Sequence, residues 1–140
     1  MKSSGIVREV ANDGSVVIRD SQCAFMFNRL GRGVVELRIT GTDNGQFGTT
    51  IIDEIALALF RERSLSLFID ASECTILPAS VSQAWASFFE LNQNAIERVT
   101  ILATSKPTAL TMQIIRHLSG TSGLMHIHSD RDLYEARKAL

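Results

Sequence analysis

Residues 64–82 read SLSLFIDASECTILPASVS, and this stretch decides the fold. Leu65, Leu67 and Ile69, with Phe68 on the other side, make a short apolar strand covered on both faces. The strand ends at Asp70; a polar turn follows, then Pro78, and then Ser80 and Ser82 open an amphipathic helix. Val81, Ala84, Trp85, Phe88 and Leu91 recur there at helical spacing. A strand followed at once by a helix is one step of an α/β fold, and ligands or partners of such folds gather at the carboxyl ends of the strands.

The same alternation continues downstream. Val99, Ile101 and Leu102 form a further apolar strand, and Ser105-Lys106-Pro107 is a helix start, with proline where its missing N–H costs nothing. Leu110, Ile114, Ile115 and Leu118 are the expected buried face of that helix, which Gly120 terminates. Residues 124–128 read as a last strand. Ser129 with Asp132 caps a final helix whose Leu133, Ala136 and Leu140 face inward.

Upstream, the segment 5–20 contains IVREVANDGSVVIRD, two β-rich runs around an Asp-Gly hairpin signal. A second pair, residues 24–27 and 34–39, surrounds Gly31-Arg32-Gly33. In its later run Val35, Leu37 and Ile39 alternate with Glu36 and Arg38, one face buried and one wet. Thr50 with Asp53 makes a capping box for a first helix buried through Ile51, Ile55, Ala58 and Leu59. The chain is therefore expected to be one α/β domain over 1–140, with an extra hairpin at about 5–20. Its mixed sheet of four to six strands carries parallel βαβ units with right-handed crossovers and about four flanking helices.

Composition narrows the function. At 140 residues the chain suits one domain that buries roughly 68% of its unfolded surface. A net charge of −1 leaves no electrostatic footprint for nucleic acid. No apolar run approaches the ~18 residues that span a bilayer, so no membrane insertion is expected. The start, MKSSGIVREV, lacks an apolar signal core, and Cys23 and Cys74 lack CxxC spacing; both features suit a reducing cytoplasm. No nucleotide-binding, kinase or nucleophile-elbow motif is present, and no cofactor is implied.

From Cys23 to Leu140 the order of elements resembles the STAS domain, the family of bacterial anti-sigma-factor antagonists. Leu37-Arg38-Ile39-Thr40-Gly41 followed by Asp43 is similar to that family's first strand-to-helix junction. Residues 67–72, LFIDAS, resemble its central strand and Asp-x-Ser ending, and Val99 to Leu102 followed by Ile114 to Gly120 resembles the next strand–helix pair. Leu118-Ser119-Gly120 with Gly123-Leu124 looks like its entry into the last strand. The resemblance implies a non-enzymatic regulatory or protein-interaction module. The family's Asp-Ser-Ser/Thr-Gly phosphorylation switch falls on Pro78-Ala79-Ser80-Val81, where only the hydroxyl of Ser80 is kept. The expectation is a module without a working phosphoserine switch.

Five residues form the candidate partner or ligand rim: Asp43, Asp70, Ser72, Ser80 and Ser82. Ser80 or Ser82 is expected to be the N-cap of the second long helix, with Ser80 a disfavoured phosphosite. Asp70, Ser72 and Glu73 could bind a cation or serve acid–base chemistry, but Asp and Ser after a strand more often satisfy turn amides, no nucleophile–base pairing is spaced for catalysis, and no catalytic residue is assigned. His126 and His128 share a strand face near Asp130 without a third ligand, so no metal site is assigned. Phe88 and Phe89 are adjacent, so one should point at a neighbouring element, a partner or a ligand. The 5–20 hairpin has exposed edge potential and is expected to add to the sheet or to pair with another copy, giving a homodimer. The alternative to a protein partner is a small apolar ligand or lipid in a cavity of ~300 Å³ or more between helices and sheet.

Overall fold

A computed structural model describes residues 5–75 and 77–139. Seven strands form one sheet: β1 Val7–Val10, β2 Val16–Arg19, β3 Cys23–Gly31, β4 Val34–Gly41, β5 Leu65–Cys74, β6 Ile96–Leu102 and β7 Met125–His128. Four helices accompany them: α1 Thr50–Glu62, α2 Ala79–Asn92, α3 Lys106–Ser119 and α4 Arg131–Lys138. The sheet order is the sequence order, β1 through β7. The pairs from β1 to β4 are antiparallel and those from β4 to β7 parallel. The sheet thus has seven strands rather than four to six; the 5–20 hairpin adds to it, one of the two outcomes expected for that segment. Arg8 of β1 fastens that hairpin to α1 with two hydrogen bonds to Glu54, 3.0 and 3.1 Å.

Strand alternation divides the core between two faces. Leu37, Ile39, Leu67, Ile69, Val99 and Ile101 are buried with the inward residues of α1, α2 and α3. Phe68 and Leu102 point the other way and pack with Tyr134 of α4. Leu67, Phe68 and Ile69 are all buried, as a strand covered on both faces requires. The α1 stripe of Ile51, Ile55, Ala58 and Leu59 is buried as its spacing predicts. Its cap differs: the N-cap is Thr49, whose hydroxyl bonds the Asp53 carboxylate at 3.0 Å.

Several faces differ from the pattern read in the sequence. In α3 only Ile115 of the four expected residues is buried; Leu110, Ile114 and Leu118 are about half exposed. The inward face is Thr108, Thr111, Met112, Ile115 and Ser119. Hydroxyls can lie there because carbonyls take them up: Thr108 donates to Cys74 O, Thr111 to Pro107 O and Ser119 to Arg116 O. Ser105 caps α3 and Gly120 ends it in the left-handed conformation, both as expected.

In α2, Ala84 and Leu91 are exposed, and Phe88 and Phe89 are both buried. The inward surface of α2 is wide enough for both rings because it also includes Val81, Ser82, Trp85 and Ala86. Phe88 and Phe89 stack edge to face, 5.7 Å between centroids, so neither ring is left for a partner. In α4, Leu133 and Ala136 are exposed and Tyr134 is buried, while Leu140 lies outside the described residues. Asp130 rather than Ser129 caps that helix, accepting from Asp132 N.

A candidate docking groove at the carboxyl ends of the strands

Gly41 ends β4 at φ +94°, in the left-handed region that side-chain-bearing residues rarely adopt. A Cβ there would run into the Gln22 carbonyl oxygen. That close approach lets Thr42 N donate to Gln22 O and Thr75 N donate to Gly41 O, at 2.9 and 3.1 Å. The chain then turns inward and buries Asp43, whose Oδ1 accepts from Gly45 N at 2.9 Å. Burial raises the Asp43 carboxyl and outweighs the Gly45 N–H, which favours the anion. Cys23 and Cys74 sit on the strands either side of Gly41, in register with it. Burial, with Asp43 next, pushes their thiols up to about 12 and about 11. Both stay protonated and inert near neutral pH.

Between the β4–α1 loop and the start of α2 lies a groove of about 280 Å³. Asp43, Phe47 and Gly48 form its loop wall, Ile51 and Ile52 its α1 wall, and Ser80, Ala84 and Trp85 its α2 wall. Its lining contains one carboxylate and no lysine or arginine. The arrangement suits an apolar side chain flanked by hydrogen-bond donors, and repels an anion.

The structure distributes the five rim candidates among three places. Asp43 and Ser80 share the groove. Ser82 is buried in α2 and faces inward. Neither serine caps the helix: α2 begins at Ala79, so both lie inside it, and the N-cap is Pro78, which has no side-chain acceptor. The expectation of a serine cap is therefore corrected; the Val81 and Ser82 N–H groups use the Pro78 carbonyl instead.

Asp70 and Ser72 stand on the opposite sheet face, where α4 docks. Asp70, 2% exposed, accepts from Ser72 N and Oγ at 3.1 and 2.6 Å and from Arg131 Nη1 at 3.3 Å. Arg38 adds an ion pair at 3.6 Å. Burial pushes this carboxyl up, but the two Ser72 bonds and the Arg131 charge together hold it below the usual carboxylate range. One turn along the helix, Glu36 accepts from Tyr134 Oη at 2.9 Å and Lys138 Nζ at 2.8 Å. Glu36, expected on a wet face, is 4% exposed. Arg131, Tyr134 and Lys138 recur at i, i+3 and i+7, so α4 is anchored by polar tips rather than by an apolar stripe. That spacing is visible in the sequence and was the missed signal. Trp85 reads in the sequence only as a core residue and Phe47 stands in no pattern there, although both wall the groove.

Among the described residues, no three His, Cys, Asp or Glu side chains converge to hold a metal ion. No helix is long and apolar enough to cross a membrane among those residues. The space between the helices and the sheet, against Ile69, Trp85 and Phe89, is about 10 Å³. That is no more than one water needs.

The comparisons with known proteins agree with this architecture. In three dimensions the chain is similar to the anti-sigma factor antagonist SpoIIAA in its unphosphorylated form. The TM-score is 0.62 at 15% identity, over 83% of this chain and 97% of that one. An anti-sigma factor antagonist from Mycobacterium paratuberculosis matches with TM-score 0.58 at 16% identity, over 94% of this chain and 100% of that one. An uncharacterized protein with a SpoIIAA-like fold from Shewanella loihica matches at 0.60 and 12% identity, over 83% and 93%. No protein-family model and no curated protein sequence matches the chain. The fold is thus STAS-like, a mixed α/β sheet with four helices, as the order of elements implied.

Proposed function

We propose that this chain is a non-enzymatic regulatory module that binds a partner protein through the Asp43–Ser80 groove, in the cytoplasm of a bacterium. The groove carries the proposal: it lies at the carboxyl end of the parallel strands, and loop, α1 and α2 all contribute to it. The likeness to anti-sigma factor antagonists supports the same reading at the level of fold. The two buried, protonated thiols are consistent with a reducing compartment. A lipid-binding role has little support, because a space of about 10 Å³ is far below the roughly 300 Å³ that holds an organic ligand.

The proposed module has no working phosphoserine switch. Phosphate on Ser80 would bring about −1.5 to −2 charges into a groove that already holds Asp43 and no lining cation. Affinity capture from the host cell tests both statements. A partner held by the wild type should be lost with Ala84→Arg, which fills the groove from an exposed position. Capture of the same proteins by both chains removes the groove from consideration. Stoichiometric phosphate on Ser80, with binding abolished by Ser80→Asp, overturns the second statement.

A further inference from the structure

On α3, Leu110, Ile114 and Leu118 are 58%, 47% and 51% exposed. They are spaced i, i+4 and i+8, one line along a 14-residue helix. Around them, from Pro107 to Ile115, the helix carries no charged residue. Leu118 faces a shallow groove of about 240 Å³ against α2, whose other lining is Gln83, Ala86, Ser87 and Glu90. The row runs beside this open groove, whose lining holds one charged residue, Glu90.

We propose that this face joins two copies of the chain, α3 packing antiparallel on α3 about a two-fold axis through Ile114. A two-fold interface must be self-complementary. The row meets that condition, reading Leu, Ile, Leu at four-residue steps from either end. The axis sets Ile114 against Ile114 and Leu110 against Leu118, and each row lies beside the other copy's α2–α3 groove. Antiparallel helices place opposite dipole ends together. The same operation carries Lys106, at the start of one α3, towards Glu90, near the end of the other copy's α2. Neither residue has an ion-pair partner among the described residues of its own chain.

The alternative contact, edge pairing through β1, is less suited. That strand has four residues, with Arg8 held by Glu54 and Glu9 held by Arg19, and charged residues on a short edge disfavour strand addition. Two helices about 21 Å long offer roughly 400 Å² per copy, about half the standard interface. A contact of that size makes a weak, reversible dimer. The Asp43–Ser80 groove lies on the α1 side of α2 and stays open in it, so this inference stands apart from the proposed partner site.

Sedimentation velocity from about 5 to about 500 µM reads weak association. The weight-average mass should rise from monomer towards dimer in the wild type. Ile114→Asp, at a solvent-facing position, should stay monomeric with an unchanged circular dichroism spectrum. Ile114→Cys oxidised with diamide should cross-link copy to copy, because the axis brings the two sulfurs within disulfide reach. Phe60→Cys, on α1 and 85% exposed, should not. The native thiols are buried and do not compete. A monomer at every concentration overturns the proposal. So does association that survives Ile114→Asp, which would assign it to β1 or another surface, and so does cross-linking no greater at residue 114 than at residue 60.

Discussion

Tyr134 donates a hydrogen bond from its phenol to the Glu36 carboxylate, 98 residues earlier in the chain, and both side chains are buried on the sheet face that α4 covers. The hydroxyl and the Lys138 ammonium are what make a carboxylate tolerable there. Tyr134→Phe keeps the ring and its edge contact with Phe68 but removes one donor to a buried charge. The expected loss is about 1.5–3 kcal/mol of unfolding free energy in urea titration. A loss below about 0.5 kcal/mol would mean that water replaces the phenol.

The neighbouring anchor predicts an acid sensitivity. The folded Asp70 carboxyl titrates below the usual range, and an unfolded aspartate titrates near 3.9. The stabilisation is therefore fully present above about pH 4 and is lost as pH falls through the folded value. Stability measured between about pH 5 and pH 2 should fall less steeply in Asp70→Asn than in the wild type. Parallel slopes would show that Asp70 does not report the transition.

Gly41 and Gly48 both have positive φ, but their surroundings differ. A methyl on Gly41 meets the Gln22 carbonyl, whereas one on Gly48 has open space. Gly48→Ala should cost about 1 kcal/mol, the left-handed penalty alone. Gly41→Ala should cost at least about 2 kcal/mol more, since overpacking is added to strain. Thermal denaturation of the two chains makes the comparison.

The serines at two helix starts should behave oppositely. Ser105 Oγ accepts from Thr108 N, and Ser105→Ala should cost about 0.5–2 kcal/mol. Ser80 makes no cap, and Ser80→Ala should stay within about 0.5 kcal/mol of the wild type. Chemical denaturation is the measurement; an equal loss at both positions would return the cap to Ser80.

Thiol chemistry offers a further check. With Cys23 and Cys74 raised to about 12 and about 11, iodoacetamide at about pH 8 should label neither in the folded chain and both in urea, because the thiolate is the reacting form. Mass spectrometry counts the adducts.

The sheet was legible because its evidence is local. The run from Leu65 to Ile69 is apolar on both faces, and the αβ alternation after it leaves few topologies. The rim was half legible: strand and helix ends point to Asp43, Asp70 and Ser80 alike, but the pairing of Asp70 with Arg131, 61 residues on, joins two patterns that are each local. The α3 face was misread for a chemical reason. Thr108, Thr111 and Ser119 count as polar in a sequence, yet each hydroxyl finds a carbonyl and can go inside. The leucines that looked like core were then free to stay on the surface. In α4 the inward residues are amphipathic, and a reading based on apolar spacing passes over them.

Strand order that follows sequence order also sets a timetable for synthesis. Each strand leaving the ribosome finds its partner already made, beginning with the β1–β4 meander, so the sheet can grow at one edge without rearrangement. The α4 helix is the exception. It reaches back past β6 and β7 to carboxylates on β4 and β5. Until it is made, Glu36 lacks its Tyr134 and Lys138 donors, Asp70 lacks Arg131, and Phe68 and Leu102 lie on a sheet face without Tyr134 to cover them.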